Sequence, residues 1–508
     1  MIKKNNSFLK IFLIILVIGI YFFTRLQNLT TIPVFGDEAI YLRWSQIIKN
    51  VETLRFIPQT DGKQPLFMWF VTVVFKFIQD PLFAGRLVSV FAGFKIMVGI
   101  FLTTCVVISF FKPEKNPIKF IWLCLKENFY LGILAVTIYL FLPFTFFFDR
   151  LALPDNTLSL FGIWSLFFSF LLAKFKRLDL AMILGIILGL AWLTKSPAIY
   201  FVVLSIFTYI VINFKNLKTI FLPIISSIMA FVIYNILRLG PQFQMIALRN
   251  KDYVWSLGEI LKHPLDPLKP HLYDTLILFG QYISWPIVIM AILGFILFLF
   301  YRKNTPIYIL ICWWIMPLVA NAAMAKVFTA RYILFTIPFL IIIIALGLSV
   351  FFKKPIFKLV FVFILLVPNL IWIKNISLNP ITVQLPSTET GYLEDWTSGW
   401  GIKETAQFLK NRSLEKNIIV GTEGYFGTLP DGLQIYTENT KQLTVFGVGL
   451  DFLKIPEKLT DAFNHGDEVY LLINKSRFKI DTLDQNKLKL VNSFLKPKED
   501  QLLLYQLQ

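Results

Sequence analysis

The sequence predicts a polytopic α-helical membrane protein that ends in a small α/β domain. Of its 508 residues, 56% are hydrophobic and only 16% are charged, more apolar surface than a soluble globular protein of this length needs. The apolar residues gather into about 11 runs that approach the length needed to cross a bilayer. From about Lys374 onwards, charged residues, Gly and Thr become frequent, so a separate domain outside the membrane is expected.

The net charge of +18 does not indicate a nucleic-acid-binding protein. The basic residues lie mainly in short loops between apolar runs, and they do not form one continuous basic face. Loops of this kind set the orientation of a membrane protein, because Lys and Arg collect on the cytoplasmic side. Cys105, Cys124 and Cys312 lie in or beside apolar segments, so neither a disulfide framework nor a cysteine metal site is expected.

Eleven transmembrane spans give the most regular distribution of basic loops. They are placed near residues 8–27, 87–111, 130–148, 156–173, 180–194, 198–212, 219–237, 283–300, 305–322, 332–350 and 356–373. With these spans, the loops containing Lys112, Lys174, Lys215, Arg302 and Lys353 all fall on one face, which should be cytoplasmic. The predicted location is therefore the cytoplasmic (plasma) membrane, with the N-terminus inside and the C-terminal domain outside.

One short apolar segment is excluded from the spans. Residues 65–75 are apolar, but Lys76 follows at once, and counting them as a span would reverse every later loop. We expect a helix that lies in the outer interface or is only partly inserted. No small-residue cleavage site follows residues 1–25, so the first apolar run is interpreted as a retained helix.

The predicted domains are a transmembrane domain over residues 1–373 and an extracytoplasmic α/β domain over 374–508. The first contains two long outer loops, 28–86 and 238–282. Within the first loop, Glu38 to Asn50 has the apolar spacing of an amphipathic helix. In the C-terminal domain, 418–420 and 469–473 are predicted strands, and 403–410 is a predicted helix.

Two acidic positions on the predicted outer face are candidates for catalysis. Asp37 and Glu38 follow Gly36 in the first outer loop, and a carboxylate there can accept a proton from an incoming hydroxyl. Asp155 follows Pro154 at the outer start of the fourth span. Asp37 and Asp155 could each simply cap a helix. Their common predicted face and depth favour a joint role.

Several cations lie on the outer face against the orientation rule, namely Lys63, Arg86, Arg150, Lys195, Lys326 and Arg331. Lys195 stands between two apolar runs with almost no loop around it. Lysine side chains at helix ends often extend to the interface without any further role. We favour that interpretation for Lys326 and Arg150, and a functional role for Lys195 and Arg331.

The sequence gives little support for a cofactor. The histidines His263, His271 and His465 have no motif spacing, and no glycine-rich loop has a nucleotide-binding context. A divalent cation between Asp37 and Asp155 is compatible with paired carboxylates, but nothing requires it.

The motifs in these regions resemble those of a known family. Gly36-Asp37-Glu38, Lys63-Gln64-Pro65 and Arg86-Leu87 are similar to the first outer loop of polyprenyl-phosphate-sugar-dependent glycosyltransferases of the GT-C fold. These include the protein O-mannosyltransferases and the lipid A aminoarabinose transferases. Leu153-Pro154-Asp155, Leu193-Thr194-Lys195 and Ala330-Arg331-Tyr332 match later motifs in the same order, over roughly residues 8–350.

The resemblance implies roles for the candidate residues. Asp37 would be the catalytic carboxylate, supported by Glu38 and Asp155. Lys63, Lys195 and Arg331 would contact the lipid phosphate, with Arg86 and Tyr332 in the same substrate-binding motifs. Gln64 stands where the family often has a second proline, and no counterpart of the family's zinc-ligand histidine can be aligned.

The implied function is transfer of one sugar, with inversion, from a polyprenyl-phosphate donor to an extracytoplasmic hydroxyl on a protein, lipid or glycan. An oligosaccharide ligase or polymerase that uses polyprenyl-diphosphate glycans is the alternative enzyme. A transporter of lipid-linked sugars is the alternative outside enzymes. A transporter would place its ionisable residues near the bilayer midplane, whereas these residues gather at the outer surface.

Overall fold

The computed structural model of the chain describes residues 2–301, 304–351 and 355–508. Within these residues, nine helices are long and apolar enough to cross a membrane. Two shorter apolar helices, Leu178–Thr194 and Ser196–Ile212, lie among them in the chain. These eleven segments correspond in order to the eleven predicted spans. Arg302 and Lys353, on which part of the predicted orientation rests, lie outside the described residues.

The helices up to residue 378 are numbered in chain order. The first ten are α1 (Ile2–Leu26), α2 (Gly36–Asn50), α3 (Leu66–Val74), α4 (Pro81–Ser109), α5 (Pro117–Phe141), α6 (Pro143–Asp149), α7 (Pro154–Phe175), α8 (Leu178–Thr194), α9 (Ile199–Ile212) and α10 (Phe221–Tyr234). The next eight are α11 (Gln244–Tyr253), α12 (Leu257–Lys262), α13 (Leu268–Phe279), α14 (Trp285–Tyr301), α15 (Thr305–Met324), α16 (Ala330–Ile333), α17 (Ile337–Leu348) and α18 (Pro355–Leu378).

The third predicted span has different bounds in the structure. Residues 130–148 were expected to form one helix, but α5 ends at Phe141 and α6 begins at Pro143. Proline has no N–H to continue the helical hydrogen bonds, and Leu142 before it is extended. At the other end, Asn116 accepts hydrogen bonds from the N–H groups of Ile118 and Lys119, so the helix starts well before residue 130.

Two other apolar segments differ in length from a standard transmembrane span. The span predicted at 283–300 continues from α13 through a π-helical turn at Gly280–Ser284, so one apolar helix runs over Leu268–Phe300. Helix α3 has nine residues and rises about 14 Å, much less than the roughly 30 Å hydrocarbon core. The segment at 65–75 is therefore too short to span, as predicted.

The chain divides into two compact units. The first contains Met1–Gln27, Arg55–Phe67 and Arg86–Lys374, and the second contains Asn28–Leu54, Met68–Gly85 and Asn375–Gln508. Two parts of the predicted first outer loop thus belong to the same unit as the C-terminal residues.

In the first unit, helices approach closely where glycines remove side-chain bulk. A Cβ added at Gly185 or Gly189 of α8 would lie 2.8 Å from Met229 or 2.7 Å from Ile233, both on α10. A Cβ at Gly294 of α14 would lie 2.3 Å from the carbonyl oxygen of Gly347 on α17. Small residues at such crossings allow the helix backbones to pack within a membrane.

The second unit contains a five-stranded sheet. Its strands are β1 (Ile418–Glu423), β2 (Leu443–Gly449), β3 (Glu468–Asn474), β4 (Leu488–Leu495) and β5 (Gln501–Leu507), in the order β2-β1-β3-β5-β4. β1 pairs in parallel with β2 and β3, while β5 is antiparallel to β3 and β4. The helices are α19 (Ile402–Arg412), α20 (Asp431–Thr437), α21 (Glu457–Asn464) and α22 (Thr482–Gln485). The predicted α/β domain, with its two named strands and its helix, is confirmed.

Helix α2 is attached within this unit by backbone hydrogen bonds. The N–H of Gly36 donates to the carbonyl of Thr397 at 3.1 Å, and the N–H of Gly399 donates to the carbonyl of Val34 at 2.8 Å. A Cβ at Gly36 would lie 3.0 Å from the Thr428 hydroxyl, which explains why glycine suits this position. The start of α2 is therefore fixed by the segments at 397–399 and 428.

Candidate active site

Lys195 occupies the break between α8 and α9. It has an extended backbone with φ −163° and ψ 147°, and Pro197 cannot supply the N–H that would continue α8. Its Nζ lies 2.6 Å from Oδ1 of Asp155 and 5.0 Å from the centre of the Tyr332 ring. The lysine side chain is 23% exposed, so it retains access from outside the protein.

Asp155 lies in the first turn of α7, and its side chain is only 4% exposed. The N-cap position of this helix is Leu153, and no side chain caps it. The alternative of a simple cap is therefore not what the structure shows, because the carboxylate accepts from Lys195. A nearly buried carboxylate needs such a charged partner, since burial of an isolated charge is costly.

Arg331 and Tyr332 bring a third predicted motif to Lys195. They belong to the short helix α16, and the guanidinium of Arg331 lies 5.3 Å from the Tyr332 ring centre. The Tyr332 carbonyl accepts from Asn321 at 2.8 Å, and the Asn321 side-chain oxygen accepts from the Tyr200 hydroxyl at 3.1 Å. These bonds fix α16 to α15 and α9, so the aromatic ring beside Lys195 has a defined position.

The Lys63-Gln64 motif reaches the same place from another part of the first unit. The amide of Gln64 donates to the Ser196 hydroxyl at 2.8 Å, next to Lys195 in the chain. Lys63 Nζ lies 4.5 Å from the Tyr253 ring centre. We call Lys63, Asp155, Lys195, Arg331 and Tyr332 the cation cluster. Arg86 is in the same unit, buried near the start of α4.

Asp37 and Glu38 belong to the second unit, in the first turn of α2. The predicted start of this helix at Glu38 was late by two residues, because the helix begins at Gly36. Glu38 is fully buried, and its carboxylate accepts from the N–H of Phe35 at 3.0 Å. Glu38, rather than Asp37, therefore accepts the capping hydrogen bond at the start of α2. Asp37 is half-buried beside it.

A buried ion pair in the first unit was not predicted. Arg25 Nε lies 3.2 Å from Oδ2 of Asp149, and both side chains are at most 1% exposed. Asp149 Oδ1 also accepts from the Tyr139 hydroxyl at 2.8 Å and from Asn156 at 2.9 Å. The signal available in the sequence was an arginine and an aspartate at the ends of two apolar runs, which does not reveal their pairing.

Among the described residues, no group of three or more His, Cys, Asp or Glu side chains could hold a metal ion. One of the two carboxylates considered for a divalent cation, Asp155, is paired with the Lys195 ammonium. A cation bound to Asp155 would therefore compete with the Lys195 ammonium for the charge of one carboxylate.

Comparisons with known proteins identify the fold. Residues 117–237, about a quarter of the chain, match the family model described as dolichyl-phosphate-mannose-protein mannosyltransferase. The apo crystal structure of ArnT from Cupriavidus metallidurans matches with a TM-score of 0.59 and 13% identity, over 99% of this chain and 98% of that one. The structure of the same ArnT bound to undecaprenyl phosphate matches with a TM-score of 0.55 and 12% identity, over 97% of each chain.

No curated protein matches the chain by sequence. The agreement with ArnT nevertheless extends over nearly the whole length of both chains, which confirms the predicted fold class. The chain is a multi-pass membrane protein with the GT-C fold seen in ArnT.

Proposed function

We propose that this protein is a glycosyltransferase that moves one sugar from a polyprenyl-phosphate donor to a hydroxyl acceptor outside the cytoplasm. The observation that carries the proposal is the position of Lys195. Its ammonium contacts the Asp155 carboxylate and lies 5.0 Å from the centre of the Tyr332 ring. The next residue, Ser196, accepts a hydrogen bond from the Gln64 amide. Motifs far apart in the sequence thus meet around one partly exposed cation.

Lys195 is suited to bind the lipid phosphate. An ammonium group has three donor hydrogens, and among the described residues only Asp155 accepts from it. The remaining donors are available to phosphate oxygens through charge-assisted hydrogen bonds. Arg331 is held next to Tyr332 and contributes a second cation, and Lys63 a third. Together they would neutralise the charge that develops on the departing phosphate.

Asp155 acts in this proposal as a positioning residue. Its carboxylate holds the Lys195 ammonium at 2.6 Å and is itself almost inaccessible. Because the Asp155 carboxylate is nearly buried against that lysine, we assign it no part in proton transfer. This narrows the catalytic role proposed for Asp155 from the sequence.

Asp37 is the proposed general base. It would take the proton from the acceptor hydroxyl as the hydroxyl oxygen attacks the anomeric carbon from the face opposite the phosphate. The bond from that carbon to the phosphate oxygen breaks, the electron pair leaves with polyprenyl phosphate, and the anomeric configuration inverts. Glu38 stabilises the helix start that carries Asp37. Arg86 is proposed as a further substrate contact, on the resemblance alone.

The comparisons support the donor class. The matched family model is named for a transferase that uses dolichyl-phosphate mannose, and one ArnT structure contains undecaprenyl phosphate. Both lipids are polyprenyl monophosphates. We further propose that the site faces the outside of the plasma membrane and that transfer needs no metal ion, because the cations of the cluster supply the positive charge.

The test is release of free polyprenyl phosphate from synthetic polyprenyl-phosphate sugars by the purified protein in detergent, with an added membrane extract as the source of the hydroxyl acceptor that takes the sugar. We expect release by the wild type, including in the presence of EDTA, and no release by Asp37→Asn. Lys326→Gln is the matched control. This lysine is held by the Lys251 carbonyl at 2.7 Å and by the Trp255 ring, and it has no assigned role. A fully active Asp37→Asn protein would remove Asp37 from the mechanism. Activity only with diphosphate-linked glycans would indicate a ligase.

A further inference from the structure

The second unit contains a half-open cleft of about 440 Å³ at the C-terminal end of α2. Its walls come from that end of α2, the segment that joins α3 to α4, and the helices α19 and α20. The motifs described above do not extend to it, and the proposed chemistry does not use its residues. All of its lining residues belong to the second unit.

The cleft has an excess of positive charge. Lys49, Lys403 and Lys410 line it together with two carboxylates, Asp80 and Glu438. Each carboxylate is already neutralised within this unit. Lys403 Nζ lies 2.8 Å from Asp80 Oδ2, and Arg43, just outside the lining, lies 3.3 Å from Glu438 Oε1.

The remaining two lysines have no carboxylate partner among the residues that the structure describes. Lys49 donates only to the carbonyl of Phe75, at 3.3 Å. Lys410 lines the same cleft from the last turn of α19. Two ammonium groups that line one cleft without a carboxylate at ion-pair distance favour an anionic ligand.

Several of the other lining groups are of the kinds that suit carbohydrate, beside the apolar residues Phe75, Ile78, Pro81, Ala406 and Ile435. Gln79, Gln407 and Asn439 supply amide donors and acceptors, which suit sugar hydroxyls. Tyr436 supplies an aromatic ring with one polar end, held near Lys403 Nζ, which lies 5.9 Å from the ring centre. Amides, one aromatic ring and uncompensated lysines together fit a sugar chain that carries acidic groups.

We propose that this cleft binds an anionic carbohydrate and that this carbohydrate is part of the acceptor. The second statement rests on the proposed function. Helix α2 carries Gln46 and Lys49, which line the cleft, and also Asp37, the proposed base. They are 9–12 residues apart, which is about 14–18 Å along the helix axis. A short acidic glycan held in the cleft could extend towards the end of α2 that carries the base.

The experiment measures binding of trigalacturonate, glucose 6-phosphate and neutral maltotriose to the full-length protein in detergent, without donor. We expect an anionic probe to bind more tightly than maltotriose and to weaken as salt is raised. Tighter binding of trigalacturonate would identify a carboxylate sugar as the ligand, and tighter binding of glucose 6-phosphate a phosphorylated one. The Lys49→Gln/Lys410→Gln double variant should lose about tenfold in affinity, equivalent to roughly 1.4 kcal/mol.

The matched control is Lys454→Gln/Lys489→Gln, which removes two exposed lysines from the same unit but not from the cleft. This control should bind like the wild type. If Lys49→Gln/Lys410→Gln binds the anionic probes as tightly as the wild type and has the same unfolding temperature, the proposal is overturned. Tighter binding of maltotriose than of either anionic probe would also overturn it. The assay uses no donor, so loss of binding in the cleft variant would support the site even if no polyprenyl-phosphate sugar were ever consumed.

Discussion

Two cation–carboxylate pairs in the first unit use similar residues in different ways. The Arg25–Asp149 pair is closed, with both side chains at most 1% exposed. The guanidinium also donates to the carbonyl of Leu140 at 2.7 Å and to the Thr24 hydroxyl at 3.1 Å. The Lys195–Asp155 pair is open on one side, because the lysine is 23% exposed and has one hydrogen-bond acceptor among the described residues.

The difference shows which pair can bind a ligand. A guanidinium whose hydrogen-bond donors are directed at protein acceptors has little capacity for a phosphate, so Arg25–Asp149 is interpreted as a structural pair. An ammonium held by one carboxylate keeps its orientation and still has donors to offer. We therefore assign phosphate binding to the open pair, and the following substitutions are designed to separate the two roles.

The largest expected effect is on stability, from Asp149→Asn. This substitution keeps the shape of the side chain but leaves the buried Arg25 charge without its counter-charge. Breaking a buried ion pair in this way costs about 3–5 kcal/mol of unfolding free energy. Equilibrium unfolding in mixed detergent and SDS would measure the loss. Asp155→Asn is the comparison, and equal destabilisation by both would show that the two pairs do not differ in the way described.

Lys195→Gln should mainly affect transfer. Removing one preorganised donor from developing charge typically reduces the rate about 10²–10³-fold, or about 2.7–4 kcal/mol. We expect this loss in kcat/KM for the polyprenyl-phosphate sugar, with a smaller loss of unfolding free energy than in Asp149→Asn, because the pair is partly exposed and the glutamine amide can still donate to Asp155. Lys326→Gln should retain the wild-type kcat/KM. If Lys326→Gln loses as much kcat/KM as Lys195→Gln, the loss is not specific to the phosphate-binding role proposed for Lys195.

Gly93→Ala tests how tightly the closed pair is packed. A Cβ at this position of α4 would lie 2.4 Å from both Asp149 Oδ1 and the Tyr21 hydroxyl. Overpacking of this kind typically costs about 1–3 kcal/mol. Gly19→Ala in α1 is the control, since nothing lies within 4 Å of its added Cβ. If both variants unfold alike, the packing around Asp149 is looser than described.

The smallest expected effect comes from Asp155→Asn, which keeps Lys195 but weakens its orientation. We expect about a tenfold loss in kcat/KM, equivalent to roughly 1.4 kcal/mol, seen mainly as a higher KM for the donor. The double variant with Lys195→Gln should lose little more than Lys195→Gln alone, because residues that act together are not additive. Additive losses would indicate that Asp155 acts independently of Lys195.

The sequence was sufficient for the fold class because long apolar runs and a change of composition are local signals. Lys195 and Arg331 were proposed as functional residues for a similar reason, since a cation on the predicted outer face breaks a rule that applies loop by loop. Helix bounds were harder to predict where a proline interrupts an apolar run, as at Pro143, or where a helix begins well before its most apolar stretch, as in α5.

Side-chain pairing could not be predicted. Asp155 and Lys195 are 40 residues apart, and Arg25 and Asp149 are 124 apart. No local pattern distinguishes the carboxylate that holds the partly exposed Lys195 from the one that closes a buried pair. The same limit applies to Glu38, whose role as the helix cap depends on where α2 begins. The sequence therefore identified ionisable residues, and the structure was needed to show which of them pair and how exposed each pair is.

The most direct test of this account is the affinity for undecaprenyl phosphate in detergent, measured for the wild type, Lys195→Gln and Lys326→Gln. The account predicts that Lys195→Gln binds at least about tenfold more weakly than the wild type, a difference of about 1.4 kcal/mol or more. Lys326→Gln should bind like the wild type. Binding by Lys195→Gln that equals the wild type would contradict the assignment of the open pair to the lipid phosphate.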